Sequence, residues 1–125
     1  MKIILTALLF FCFSTHAGFT VKDLLQSCHK YQEYVINSTE DENINAFAQE
    51  CISYIYGALD KIALFYQQND KYDAYICLPD DITEQQIFSV VYKNLLETEE
   101  TRLKYSAAGA VGASIAKAYP CNTNK

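Results

Sequence analysis

The sequence is poor in the residues that most often carry catalysis or bind nucleic acid. Its 125 residues include two histidines, two prolines, four glycines and no tryptophan. Ten lysines and arginines stand against fifteen aspartates and glutamates, which gives a formal net charge of −5. Nucleic-acid binding needs a stripe of basic residues, so this composition argues against it. The acidic balance also argues against an anionic membrane surface and favours a basic partner.

The sequence also lacks an apolar run long enough to span a bilayer, which would need about 20 residues. The apolar run at residues 3–13 follows the positive Lys2 and precedes small residues that end at Ala17. This order is typical of a secretory signal peptide. We therefore predict that residues 1–17 are removed on export, leaving an exported domain of residues 18–125 with no membrane insertion.

Four cysteines remain after this cleavage, and they are Cys28, Cys51, Cys77 and Cys121. An even number of cysteines in a small exported chain predicts two disulfides. Buried free thiols are the alternative. A metal site is not expected, because no cysteine pair has close ligand spacing and His29 is the only histidine left.

The apolar pattern of the mature chain predicts four helices and no strand of useful length. Their predicted starts lie near Thr20, Asn45, Thr83 and Thr98. Thr20 with Asp23, and Thr83 with Gln86, have the spacing of a capping box. The acidic pair after Thr98 would complement the dipole of a fourth helix. The fold class that follows is a small all-α four-helix bundle.

Some positions of these helices carry specific expectations. Val35, Phe47 and Phe65 fall on the apolar faces and are expected to point inward. Gly57 lies in the middle of the second helix, where glycine is unfavourable, so we expect another helix to approach its backbone closely.

The order of the helices selects a disulfide pairing. Consecutive helices with short connections run antiparallel. Cys28 lies about two turns before the end of the first helix, and Cys51 lies about two turns after the start of the second, so they are at matching depth. Cys77 precedes the third helix and Cys121 follows the fourth, so those ends also meet. The predicted pairs are Cys28–Cys51 and Cys77–Cys121.

The remaining polar residues do not form a recognisable catalytic constellation. His29 follows Cys28 directly, so their side chains point about 100° apart on a helix. The acidic pairs Asp80/Asp81 and Glu99/Glu100 sit at predicted helix starts, where capping explains them better than acid–base chemistry does. No glycine-rich phosphate loop occurs. We expect a protein that is not an enzyme and needs no cofactor or metal.

Three motifs occur in order along the mature chain, after a leading helix that carries Cys28. They are Cys51-x-x-Tyr54-x-x-Gly57, Cys77-Leu78-Pro79 and Tyr119-Pro120-Cys121. Their order and spacing resemble the Rap/Tai family of periplasmic immunity proteins, which neutralise type VI secretion amidase effectors. The resemblance spans essentially the whole mature chain. Thr98 departs from it, since that family often has a proline there.

The resemblance implies a small helical domain that binds a secreted amidase-type effector and blocks its cleft with a protruding segment. A homodimer is common in the family. The matched cysteines, Tyr54, Gly57 and Pro79 are implied to hold the bundle together, so they do not identify the inhibitory surface.

The segment from Asn69 to Asp81 is our candidate for partner binding. Its proposed contact residues are acidic or aromatic, and they are Asp70, Tyr72, Asp73, Tyr75, Asp80 and Asp81. Aromatic anchors ringed by charge suit a protein interface, and the acids would steer a basic partner. An ordinary solvated loop is the alternative.

Other function classes stay open from sequence alone. One is a small exported helical chaperone of the acid-stress type, in which protonation of many carboxylates loosens the fold. The two predicted disulfides oppose such loosening. Another is an uncharacterised periplasmic protein-binding domain. Holding activity at about pH 2–3, where carboxylates are mostly protonated, would favour the chaperone.

Overall fold

The computed structural model describes residues 18–37, 42–69 and 75–121. In these residues the chain forms four α-helices and one short 3-10 helix, and no named strand. The α-helices are α1 (Val21–Asn37), α2 (Glu42–Gln68), α3 (Glu84–Leu96) and α4 (Ala107–Ala118), and the 3-10 helix is Glu100–Arg102. The all-α prediction is confirmed. The predicted signal peptide lies outside the described residues.

Two helix starts are set by capping boxes, as predicted. The Thr20 backbone N–H donates to the Asp23 carboxylate (2.9 Å), and the Asp23 N–H donates to the Thr20 hydroxyl (3.3 Å). At the start of α3, the Thr83 N–H donates to the Gln86 side chain (2.9 Å), and the Gln86 N–H donates to the Thr83 hydroxyl (3.2 Å). Each box satisfies N–H groups that have no partner inside the helix.

The box at Thr20 makes a contribution to stability that depends on pH. Hydrogen bonds from the Thr20 hydroxyl and then from its backbone hold the pKa of Asp23 below the ordinary value of 3.8. A lowered native pKa adds stability that is full above the unfolded pKa and is lost as the pH falls through the native pKa. We expect Asp23→Asn to lower the urea midpoint at pH 7. At about pH 2–3 the two proteins should unfold at nearly the same midpoint. An equal deficit at both pH values would contradict this account.

The predicted start of the fourth helix at Thr98 is wrong, because α4 begins at Ala107. The Thr98 hydroxyl donates to the Asn94 carbonyl (2.9 Å) and so belongs to the end of α3. The intervening chain lies against α1, where Lys22 N–H donates to the Leu103 carbonyl (2.9 Å) and Val21 N–H to the Tyr105 carbonyl (2.9 Å). Those carbonyls satisfy free N–H groups in the first turn of α1. Because the carbonyls of Leu103 and Tyr105 are bonded to α1, they do not take part in a continuous fourth helix, and α4 starts later than its sequence pattern predicts.

Apolar side chains from all four helices form one core. The largest fully buried side chains are Leu24, Ile55, Leu95, Ile115, Val91, Val111, Cys28 and Cys51. The buried residues of α3 repeat at helical spacing along one face, and they are Ile87, Phe88, Val91 and Leu95. Contacts of Tyr31 with Phe88 and of His29 with Tyr92 show that α1 and α3 run antiparallel.

Both predicted disulfides are confirmed, and each closes a different part of the fold. Cys28–Cys51 joins α1 to α2 inside the core, with both residues fully buried. Cys77–Cys121 joins the chain before α3 to the chain after α4, where Cys77 is exposed. The backbone at these ends also pairs, since Cys77 N–H donates to the Tyr119 carbonyl (2.9 Å).

Three side chains that were expected to point inward are exposed, namely Val35 (42%), Phe47 (53%) and Phe65 (48%). They lie near the ends of the two longest helices. α2 has 27 residues and α4 has 12, which corresponds to about 40 Å and 18 Å of helix. A short helix cannot cover a long one along its whole length, so the apolar face of α2 continues beyond its last buried residue, Ala58.

The expected close approach at Gly57 is also wrong. A Cβ atom at Gly57 would have no other heavy atom within 4 Å apart from its own helix and neighbours. The close approach occurs instead at the buried Gly112 of α4, where a Cβ would lie 3.1 Å from Ile62 Cδ1.

This difference between two helical glycines gives a matched pair of variants. Gly57→Ala is expected to raise the free energy of unfolding by about 0.5–1 kcal/mol, because alanine favours a helix and meets open space. Gly112→Ala should raise the free energy of unfolding by less, since the Ile62 side chain must shift to make room for the new methyl group. Urea unfolding of both variants measures the difference. A destabilising Gly57→Ala, or a larger gain at Gly112, would contradict the geometry.

Candidate partner-binding surface

Three aromatic side chains meet where the end of α2 faces the chain that leads to α3. The Phe65 and Tyr66 rings lie edge to face with centroids 5.4 Å apart, and Tyr66 meets Tyr75 in the same way at 5.3 Å. Phe65 and Tyr75 are 48% and 46% exposed. We refer to Phe65, Tyr66 and Tyr75 as the aromatic corner.

The backbone of Tyr75 is held in place from the far end of the chain. Its carbonyl accepts a hydrogen bond from the Cys121 N–H (3.3 Å). Two residues later, Cys77 is covalently bound to the same Cys121. Tyr75 is therefore an exposed aromatic residue on an anchored backbone, which lowers the entropy that binding a partner would cost.

A shallow hollow of about 260 Å³ adjoins the aromatic corner. Ile62 and Ala108 contribute to its apolar wall, and Lys61 is the charged residue in its lining. Desolvation, and then the neighbouring Tyr75 hydroxyl, raise the pKa of Tyr66 above its usual value of 10.0. Tyr66 therefore stays uncharged at neutral pH, and its neutral ring suits contact with an inserted apolar or aromatic side chain.

The candidate residues of the 69–81 segment are only partly within the described chain. Tyr75 belongs to the aromatic corner. Asp80 and Asp81 are exposed in a turn, closed by the Ile82 N–H donating to the Pro79 carbonyl (3.2 Å). The other three candidates, Asp70, Tyr72 and Asp73, lie outside the described residues.

Phe65 and Tyr66 were not among the candidate contact residues. The apolar period of α2 placed Phe65 on a buried face, because the period identifies the face but does not show how far a neighbouring helix covers it. The sequence did offer one indication that the end of α2 is uncovered, namely that α2 is much longer than the other helices.

A second apolar surface lies between α1, the start of α2 and the end of α3. This groove of about 530 Å³ has Leu25, Phe47 and Leu96 in its lining, and His29 and Lys30 beside them. Leu96 is 59% exposed. A more polar hollow of about 590 Å³ lies at the α3–α4 connection, with Glu97, Glu99 and Arg102 in its lining.

Cys28, His29 and the neighbouring Ser27 have structural partners. The exposed His29 contacts the Tyr92 hydroxyl through Nδ1 (3.1 Å) and the Glu33 carboxylate through Nε2 (3.5 Å). The buried Ser27 hydroxyl donates to the Glu50 carboxylate (2.8 Å). Cys28 is in a disulfide, so it offers no thiolate. No group of three or more metal-ligating side chains comes together within residues 18–37, 42–69 and 75–121.

Comparison with known families gives one match that spans the described helices. The family model of the Rap1a immunity proteins matches residues 20–121, from the cap of α1 to the second disulfide. The chain belongs to the Rap1a immunity protein family. The predicted resemblance to Rap/Tai immunity proteins is thereby confirmed. No curated protein and no solved structure matches the chain.

Membership of the Rap1a immunity family bears on the kind of chemistry expected. An immunity protein acts by binding a toxin effector, and the family is generally non-enzymatic. Two disulfides in a member are typical of proteins that work outside the cytoplasm. Across the part of the chain that the structure covers, no helix has the length and apolarity needed to cross a membrane.

Proposed function

We propose that this Rap1a-family protein is exported to the periplasm, where it binds a cognate type VI secretion amidase effector and occludes its active site. It acts by occluding the effector and not by chemistry of its own. The observation that carries the proposal is the family match over residues 20–121, which includes every described helix and both disulfides.

Two features support export. The first 17 residues have the charge, apolar run and small-residue ending of a signal peptide. Disulfides persist in oxidising compartments and are rare in the cytosol. A folded, doubly crosslinked domain of this kind is suited to the periplasm, where a peptidoglycan amidase would act.

The aromatic corner is our proposed anchor for the effector. Tyrosine is enriched among the residues that dominate binding energy, and Tyr75 is exposed on an anchored backbone. Asp80 and Asp81 lie a few residues away in the chain, and Asp70 and Asp73 belong to the same segment. Four acids in the same sequence segment as Tyr75 favour an effector whose cleft has a basic rim, because opposite charges steer the encounter.

A protection experiment tests both the partner class and the compartment. A candidate amidase-type effector is chosen from the genes that adjoin this one, and it is directed to the periplasm of a host together with either the full chain or a leaderless chain that starts at Gly18. We expect the full chain to prevent lysis and the leaderless chain to give no protection. Protection by both forms would contradict periplasmic action, and protection by neither would contradict neutralisation of the amidase.

The purified proteins test the mechanism directly. Residues 18–125 are expected to inhibit peptidoglycan cleavage by the amidase in proportion to the complex formed, and to turn over no peptidoglycan themselves. An unrelated amidase serves as the control for specificity. Suppression of client aggregation at about pH 2–3, together with no amidase inhibition at neutral pH, would instead support the acid-stress chaperone.

A further inference from the structure

The two disulfides of this fold differ sharply in access to solvent. Cys28 and Cys51 are both 0% exposed and pack in the core with Leu24 and Ile55. Cys77 is exposed, and its partner Cys121 is half-buried. Thiol–disulfide exchange begins when a thiolate reaches one sulfur, so its rate depends on that access. A buried disulfide reacts only after part of the protein opens.

The accessible disulfide also holds the candidate binding surface. Backbone hydrogen bonds between 75–77 and 119–121 flank it, from Cys77 N–H to the Tyr119 carbonyl (2.9 Å) and from Cys121 N–H to the Tyr75 carbonyl (3.3 Å). Tyr75 in turn packs on Tyr66. An isolated pair of such hydrogen bonds is marginal in water. Opening the disulfide therefore removes the main constraint on Tyr75.

The packing of the core depends less on the Cys77–Cys121 disulfide than the position of Tyr75 does. The buried residues of α1, α2 and α3 pack together around Cys28–Cys51. α4 is held separately, since the buried Val111 and Ile115 belong to the core, and the Asn94 side chain donates to the Ser114 hydroxyl. Loss of Cys77–Cys121 should loosen the aromatic corner and leave the helices in place.

We propose that the Cys77–Cys121 disulfide is a redox-sensitive clasp, which opens before Cys28–Cys51 and whose closure orders the aromatic corner for binding. That the clasp regulates effector binding rests on the proposed function. Its selective opening does not, because that follows from access and contacts within this chain.

The opening step consumes one dithiol. One thiolate of the dithiol attacks the sulfur of the exposed residue Cys77 and forms a mixed disulfide, and the S–S bond to Cys121 breaks. Cys121 leaves as a thiolate and takes a proton. The second thiol of the reagent then loses its proton and attacks the mixed disulfide, which releases Cys77 as a thiol. The protein disulfide is reduced to two thiols, and the dithiol is oxidised to its own disulfide.

The first arm of the test needs no effector. The mature protein is treated with increasing dithiothreitol, free thiols are blocked with N-ethylmaleimide, and the labelled peptides are mapped by mass spectrometry. We expect Cys77 and Cys121 to be labelled at least about tenfold faster than Cys28 and Cys51, with the helical circular dichroism unchanged. Equal rates, faster labelling of Cys28 and Cys51, or loss of helix with the first reduction would overturn the clasp.

The second arm measures binding after the reductant has been removed. The form blocked at Cys77 and Cys121 is compared with the oxidised protein, and Cys77→Ser/Cys121→Ser provides the same open state without a label. Both open forms should bind the amidase at least about tenfold more weakly than the oxidised protein. Open forms that bind as tightly as the oxidised protein would overturn the regulatory role. If the oxidised protein does not bind the amidase, the proposed function fails, while the first arm still decides the selective opening.

Discussion

Replacing Cys28 and Cys51 together by alanine is expected to lower the free energy of unfolding by about 4–5 kcal/mol. The disulfide closes a separation of 23 residues, which is worth about 3.4 kcal/mol in the loop-entropy model. Both residues are fully buried, so removing two sulfur atoms also leaves a cavity that costs about 1 kcal/mol more. Urea unfolding of the mature protein, monitored by circular dichroism, measures the change.

The matched control is Cys77→Ala with Cys121→Ala. This pair closes a longer separation of 44 residues, worth about 4.0 kcal/mol by entropy alone. It lies at the surface, however, where no core cavity forms and where the neighbouring residues can relax. We expect the surface pair to cost less than the buried pair. A larger loss for Cys77 and Cys121 would show that loop entropy outweighs burial in this fold.

Removing the exposed ring of the aromatic corner should have the largest effect on partner binding. Tyr75→Ala is expected to raise the dissociation constant for the cognate effector about 30-fold, which corresponds to about 2 kcal/mol. The reason is that Tyr75 combines an exposed ring with an anchored backbone, and that its loss exposes the neighbouring hollow. Calorimetric titration of the wild-type protein and the variant gives the comparison.

Tyr105→Ala is the matched control for that variant. Tyr105 is also an exposed tyrosine (57%), but it precedes the start of α4, whereas Tyr75 is joined to the chain that follows its end. We expect Tyr105→Ala to change affinity by less than about threefold. If Tyr105→Ala weakens binding and Tyr75→Ala does not, the binding surface lies at the α3–α4 connection instead of the aromatic corner.

A further variant separates the aromatic corner from the apolar groove at α1. Phe47→Ala removes a ring that is 53% exposed and lines that groove. It should leave effector affinity unchanged if the corner is the anchor. If Phe47→Ala weakens effector binding as much as Tyr75→Ala does, the effector also covers the groove, or the protein binds the effector as a homodimer that forms through the groove. Size-exclusion chromatography of the Phe47→Ala variant distinguishes these two explanations.

Much of this fold was predictable because its determinants are short-range. Capping boxes at Thr20 and Thr83 act over three residues, and the inward positions of α3 follow a simple helical period. The disulfide pairing also followed from the order of the helices, because cysteines at matching positions along antiparallel neighbouring helices lie close together.

The candidate site was predictable only in part. Tyr75 was identified as an aromatic residue among the acids of the 69–81 segment. Phe65 and Tyr66 were not, because their exposure depends on how far α4 extends along α2. Gly57 and Gly112 illustrate the same point, since both lie in helices and only the packing of α2 against α4 distinguishes them.

The sequence by itself therefore determined the helical class, the capped starts of α1 and α3, the two crosslinks and the family, since each depends on residue identity and spacing. Only the tertiary structure decided where α4 begins and which aromatic rings face solvent. The physical reason is that both depend on groups far apart in the chain. The first-turn N–H groups of α1 take carbonyls from 103–105, and the length of one helix sets how much of another it covers.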